Sequence, residues 1–177
     1  MNEYDLKLVV EALLMSSPQP LPLDKIYDVF ADGQKPTREE LTTALAGLAQ
    51  DYSNRAVELK CLASGYCIQT RSCYSTWIAR LFVEKPAKYS RALLETMAII
   101  AYQQPVTRAD IEDIRGVAVS SSMLRTLLER EWVRVAGHRD VPGKPAVYVT
   151  TKNFLDYFNL KSISDLPALP LETVTSQ

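Results

Sequence analysis

The sequence predicts an α+β, mainly helical protein built as two tandem copies of one unit, each of three helices and a β-hairpin. Three observations predict it. The stretches "SSPQPLPLDKIYDVF" and "YQQPVTRADIEDIRG" share a layout. Gln19-Pro20 and Gln104-Pro105 lie 85 residues apart, and the same offset relates Ile26 to Ile111 and Val29 to Ile114. Each stretch follows an amphipathic helical run. In each copy the apolar period later switches from 3.6 to 2 around a turn.

The elements follow in order. In the first copy, Leu6, Val9, Val10, Leu13 and Leu14 line one face of a helix; in the second, Leu94, Met97, Ala98 and Ala101 do so. A proline then ends each helix, because it lacks an N–H and restricts the residue before it. A short second helix starts after Pro22, whose φ is preset, and after Thr107, an N-cap with Asp110 three residues on. The third helix of the first copy, "TREELTTALAGLAQDY", opens with Thr37 and Glu40 in capping-box spacing. Its counterpart, "SSSMLRTLLERE", opens on a serine cluster and buries Met123, Leu124, Leu127 and Leu128.

Strands come next. "AVELKCLASGYCIQT" turns at Ser64-Gly65, and "WVRVAGHRDVPGKPAVYVT" sets Val133 and Val135 on one face of its first strand and Val147 and Val149 on one face of its second. Short aromatic helices close the copies around Trp77 to Phe82 and Phe154 to Phe158. Three helices and a hairpin is the winged-helix plan, a relative of helix-turn-helix. The reading is therefore two tandem winged-helix domains, residues 1–83 and 84–165. Their linker falls near "VEKPAKYS", where Pro86 interrupts and Ser90 caps the next helix. Residues 166–177 hold two prolines and no period, and read as a flexible tail.

Composition narrows the function. No apolar run approaches the ~20 residues a membrane helix needs. Acidic Glu3 and Asp5 in a periodic N-terminal run read as a mature cytosolic start rather than a secretory signal. Cys61, Cys67 and Cys73 are six apart, which matches neither a zinc knuckle nor a redox pair, so they read as reduced structural thiols. Residues 1–83 hold 8 Lys/Arg against 10 Asp/Glu, and residues 84–165 hold 12 against 10. A dedicated duplex-DNA domain carries a much stronger basic bias, since phosphate neutralisation supplies most of its affinity.

The stretch "RDVPGKPAVYVTT" holds a Gly-Lys pair but is no phosphate loop. Five residues separate Gly137 from Gly143, Pro145 stands at the hydroxyl position, and a strand follows instead of a helix. Pro142 followed by Gly143 makes a type II turn, and Pro145 suits a strand margin. Arg139 and Lys144 then read as solvated wing-tip charges. Groove reading of DNA is disfavoured too. The third helices set Arg125 and Arg130 beside Glu129 and Glu131, and Arg38 beside Glu39, Glu40 and Asp51. The only histidine, His138, sits on a wing strand, and no nucleophile, base and acid converge from these motifs. The sequence therefore presents no catalytic, cofactor or metal site.

The second half resembles a known family. The motifs are E-T-x-A-I-I-A-Y-x-Q-P at Glu95–Pro105, T-R-A-x-I-E-x-I-R-G at Thr107–Gly116 and L-R-T-L-L-E-R at Leu124–Arg130. They continue with G-x-x-D-V-P-G-x-P at Gly137–Pro145 and F-L-x-Y-F-x-L-x-S at Phe154–Ser162. In this order they look like segregation and condensation protein B. "ADGQKPTREEL" in the first half is typical of it as well. Two positions depart from the family pattern: Gln103 replaces a usual basic residue, and Trp132 stands where a smaller apolar residue is common.

The resemblance implies a homodimer formed through the N-terminal domains and a non-catalytic role in chromosome condensation and segregation. It also implies a bound kleisin subunit, ScpA, and through it the SMC ATPase, with localisation in the cytoplasm at the nucleoid. DNA contact would be at most indirect or weak and non-specific. The candidate partner-binding residues lie on the shared motifs: Tyr102 and Gln104 at the end of the second domain's first helix, and Arg108 and Arg115 on its second. Tyr and Arg are the side chains most often energetic at interfaces. Pro142, Gly143 and Pro145 are given a structural role in the wing turn. The alternative is a tandem winged-helix DNA-binding transcriptional regulator, which salt-sensitive duplex binding would separate from the first reading.

Overall fold

A capping aspartate starts the first helix. The Asp5 side chain accepts from the Lys7 N–H, and α1 runs Leu6–Ser16. The computed structural model describes residues 5–82 and 89–169. The linker expected around Pro86, and the tail from residue 170 on, lie outside them. After α1 come α2 (Leu23–Asp28), α3 (Arg38–Asp51), the antiparallel strands β1 (Val57–Leu62) and β2 (Gly65–Thr70), and α4 (Ser75–Leu81). The C-terminal half holds α5 (Arg91–Gln103), β3 (Val106–Thr107), α6 (Arg108–Arg115), α7 (Ser121–Glu129), β4 (Val133–His138), β5 (Ala146–Thr150) and α8 (Lys152–Tyr157).

The local signals act where the sequence put them. Thr37 and Glu40 form a reciprocal capping box at α3, and Thr107 and Asp110 form one at α6. Ser90 caps α5 and Ser120 caps α7, each accepting from a backbone N–H three residues on.

Each half has its own apolar cluster. Val10, Leu14, Ile26, Leu41, Leu45 and Leu48 form the first. The second is built around Met97, Ile100, Ile111, Val119, Leu127 and Phe154. The repeat survives in three dimensions, since Ile26 and Ile111 are both buried while Val29 and Ile114 are both exposed.

The same offset relates Leu21 to Val106, and both pair with the second strand of their hairpin. Leu21 bridges Tyr66 through two backbone hydrogen bonds of 2.8 Å, and Val106 pairs with Tyr148. The second sheet therefore runs β3-β5-β4. The hairpin rule finds β1, β2, β4 and β5, but a strand of one or two residues leaves no period to find.

Two expectations need correction, and the second hairpin adds a detail. The buried face of α5 carries Leu93, Thr96, Met97, Ile100 and Ala101, whereas Leu94 and Ala98 are exposed. The run is apolar enough to support two helical phases, and packing selects the one that includes Thr96. Its hydroxyl is satisfied by donating to the Ala92 carbonyl at 2.9 Å. The first hairpin turns one residue earlier than Ser64-Gly65: Leu62 pairs with Gly65, so Ala63 and Ser64 are the loop. In the second hairpin Tyr148, not the valines beside it, packs on the core, because its register sets it beside buried Val106. The register shifts by a bulge between Val135 and Gly137, and Val133 is buried whereas Val135 is 42% exposed.

Candidate interaction surface

The residues singled out by the sequence gather where α5 ends and α6 begins. Tyr102 is half-buried on the last turn of α5, and its hydroxyl donates to the Pro167 carbonyl at 2.5 Å. The chain after α8 thus returns to α5, and Leu166 packs against the C-terminal cluster. Residues 166–169 were assigned by the sequence to a flexible tail. Leu166 is the reason they dock, and an isolated leucine among prolines gives no period to read.

Gln104 caps α5 with its amide turned inward. Its Oε1 accepts from the Thr150 N–H at 2.7 Å and from the Thr150 hydroxyl at 3.0 Å, while Nε2 donates to the Ala101 carbonyl at 3.4 Å. The side chain ties the end of α5 to β5. Arg108, at the first position of α6, is more open. Its Nε pairs with Glu112 at 2.9 Å and Nη1 donates to Ser121 at 3.3 Å, leaving the side chain 45% exposed. Glu112 also accepts from the Val119 N–H. That bond and Arg108 hold its carboxyl below the usual carboxylate range.

Arg115 lies beneath the surface. Its side chain is only 8% exposed, it reaches Glu95 at 3.6 Å, and its Nε has no hydrogen-bond partner among the described residues. Of the four residues, Tyr102 and Arg108 therefore present accessible polar edges, and Gln104 and Arg115 back them from within. A motif shared across a family marks a position; it does not say which way the side chain turns.

The wing is held by its base and its tip. Lys144 N–H donates to the Val141 carbonyl at 2.9 Å, closing a turn in which Pro142 precedes Gly143 at φ +86°. Pro145 follows, and its carbonyl accepts from the Arg139 N–H at 3.0 Å. The Arg139 side chain, expected to be a free solvated charge, is 45% exposed but paired. It grips Asp110 with both Nη atoms, at 3.0 and 2.6 Å, across 29 residues of chain. Such a pairing leaves no local spacing to detect.

Asp110 has two tasks, because it also accepts from the Thr107 N–H at 2.8 Å in the α6 capping box. Arg139 and then Thr107 lower its pKa to about 2. A carboxyl depressed in the folded state stabilises the fold above its unfolded pKa of ~3.9, and that contribution fades as pH falls toward the folded value. We expect the melting temperature of wild type to fall relative to Asp110→Asn between about pH 4 and pH 2. Parallel acid slopes for the two proteins would show that the pair contributes nothing.

The third helices carry few free cations. Arg130 stacks over Tyr89 and Trp132, at 4.9 and 5.4 Å from the ring centroids, and donates to the Tyr89 hydroxyl at 3.1 Å. Arg38 pairs with Asp24 at 2.6 Å. Arg38, Arg125 and Arg130 are all exposed, and Arg125 lies one turn before the equally exposed Glu129. His138 is exposed on β4. The three cysteines are free, and burial pushes the Cys67 thiol pKa up. Among the described residues no His, Cys, Asp and Glu side chains cluster as a metal site, and no helix is long and apolar enough to cross a membrane.

Comparison with known proteins gives consistent matches. Residues 8–169 match the family described as "Segregation and condensation complex subunit ScpB". The segregation and condensation protein B homolog of Coxiella burnetii is 51% identical over 174 residues, covering 98% of this chain and 82% of the relative. The crystal structure of ScpB from Mycobacterium tuberculosis is 31% identical, covers 89% of this chain and 99% of its own, and superposes with a TM-score of 0.41. A ScpB N-terminal domain dimer complexed with ScpA peptide is 22% identical, covers 45% of this chain and 94% of its own, and superposes with a TM-score of 0.39.

Proposed function

The chain belongs to the family of segregation and condensation complex subunits ScpB, and from that membership we propose that it is a non-catalytic subunit of a bacterial SMC–kleisin complex. On this reading it is a homodimer that binds the kleisin ScpA as an extended segment. Through ScpA it joins the SMC ATPase at the nucleoid and acts in chromosome condensation and segregation. Residues 1–83 and 84–165 are its two winged-helix domains. The observation that carries the reading is the family match over residues 8–169, nearly the whole chain. Capture of ScpA from the same cell by the tagged chain tests it; recovery without ScpA under conditions that keep SMC complexes intact would count against it.

We assign the dimer contact to the N-terminal half. The apolar stripe of α3 does not serve, since Leu41, Leu45 and Leu48 are at most 3% exposed. Leu8 and Met15 on α1 are exposed by 58% and 71%, and α4 offers a denser apolar face: it buries none of its residues and exposes Trp77 by 65% and Leu81 by 76%, with Phe82 following at 62%. A two-fold patch that covers itself is the commonest use of such a face. Replacing Trp77 and Leu81 together by serine is expected to convert a sedimenting dimer to monomer with little change in melting temperature. A dimer that persists at micromolar concentration places the contact elsewhere. The kleisin segment is assigned to the surface around Tyr102 and Arg108, with Gln104 and Arg115 fixing the elements beneath.

A further inference from the structure

The segment that returns to Tyr102 has a particular shape. A 3-10 turn at Ile163–Asp165 sets it up: the Asp165 carboxylate accepts from the Lys161 and Ser162 N–H groups at 2.9 Å each. Leu166 then adopts φ −62° and ψ 136°, which is polyproline II geometry, as a residue before proline favours. Pro167 follows, and its carbonyl takes the Tyr102 hydroxyl. The sequence here, "DLPALP", sets Pro167 and Pro170 in P-x-x-P spacing. Between this strap and the end of α5 lies a cleft of ≈ 420 Å³ lined by Ala101, Tyr102, Gln104, Leu166, Pro167 and Leu169.

An aromatic hydroxyl donated to a proline carbonyl, beside an apolar cleft, is how grooves recognise preformed polyproline II segments. Such a segment keeps its carbonyls free and loses little entropy on docking. The chain's own strap is a bound example of that ligand chemistry. Leu169 shows that the strap fits only in part, since it remains 57% exposed.

We propose that the face at the end of α5 covered by Leu166–Leu169, together with the cleft beside it, is a docking site for an extended, proline-bearing apolar segment of a partner protein, and that Leu166–Leu169 occupies that face in cis as a competitor. This deepens the partner surface assigned above and rests on that reading only for the identity of the partner. A tethered competitor lowers the apparent affinity of an outside segment by the fraction of time the site is filled. When the strap leaves, Tyr102 and the cleft are free.

The test uses two probes. The first is a synthetic peptide of residues 162–172, added to the chain ended at Asp165. It is expected to bind with a dissociation constant on the order of 100 µM, about fivefold weaker when Tyr102→Phe removes one hydrogen bond. A peptide carrying Pro167→Gly should also bind more weakly. The second probe is an ScpA segment, expected to bind the shortened chain about tenfold more tightly than the full chain and to displace the peptide. If the shortened chain does not fold, Pro167→Gly in the full chain loosens the strap for the same comparison. The proposal is overturned if the peptide fails to bind a folded strap-free chain, if binding ignores Tyr102→Phe, or if ScpA binds equally with the strap present and absent. Should ScpA bind neither protein, it is the kleisin reading that fails, and the peptide result alone decides the cleft.

Discussion

Gly65→Ala is expected to cost the N-terminal half ~3 kcal/mol or more. Gly65 opens β2 at φ +141°, and a Cβ built there would lie 2.2 Å from the Leu21 carbonyl oxygen. That oxygen belongs to backbone, so it cannot swing aside as a flexible side chain would. It also accepts from the Tyr66 N–H in the bridge that ties the segment before α2 to the hairpin. The substitution must therefore break the bridge or distort the strand. Gly143→Ala is the control, because Gly143 also has positive φ, at +86°, yet nothing lies within 4 Å of its Cβ position. It should show only the left-handed backbone penalty of ~1–2 kcal/mol. Urea unfolding of the two variants compares them directly, and equal losses would mean that the close approach at Leu21 does not matter.

Trp132→Ala is expected to destabilise the C-terminal half by ~3–5 kcal/mol, the range for removing a buried large aromatic. Trp132 is 3% exposed at the base of β4. Its ring lies 5.3 Å from Tyr89, 4.6 Å from Tyr157 and 5.6 Å from Phe158, centroid to centroid. It joins Tyr89, just ahead of the α5 N-cap, to the C-terminal end of α8, and offers a face to Arg130. Tilted and edge contacts of this kind add ~0.5–1.5 kcal/mol per pair beyond burial. Trp132→Phe should recover part of the loss by keeping an aromatic surface. A loss below ~1 kcal/mol for the alanine variant would show that the site collapses to fill the cavity, against the packing described here. From the sequence, this residue registers only as a departure from the family pattern. The structure supplies its partners, which come from positions up to 43 residues before it and 26 after it.

What was legible follows the reach of each signal. Caps at Thr37, Ser90 and Thr107 depend on residues three apart, so the sequence places them. The repeat was legible because its Gln-Pro pairs and buried isoleucines keep one offset. The phase of α5 was not, since an apolar run holds two equally periodic faces and only α6 and β5 choose between them. The Asp110–Arg139 pair and the Tyr102–Pro167 bond join distant segments and leave no trace in spacing. The candidate partner residues were found as a group, but Gln104 and Arg115 turn inward. A shared motif records both kinds of constraint, contact with a partner and support of the fold, without separating them.

The proposed kleisin-binding homodimer without catalysis of its own has a direct solution test. Calorimetric titration of an ScpA segment into the full chain, with the mass of the complex read by sedimentation, tests it most directly. The account predicts saturable binding to a particle containing two copies of this chain, weakened by ~2 kcal/mol, some 30-fold, in Tyr102→Ala with the dimer intact. No heat of binding at tens of micromolar ScpA, together with protection of one defined duplex sequence at physiological salt, would contradict it and favour the DNA-binding regulator.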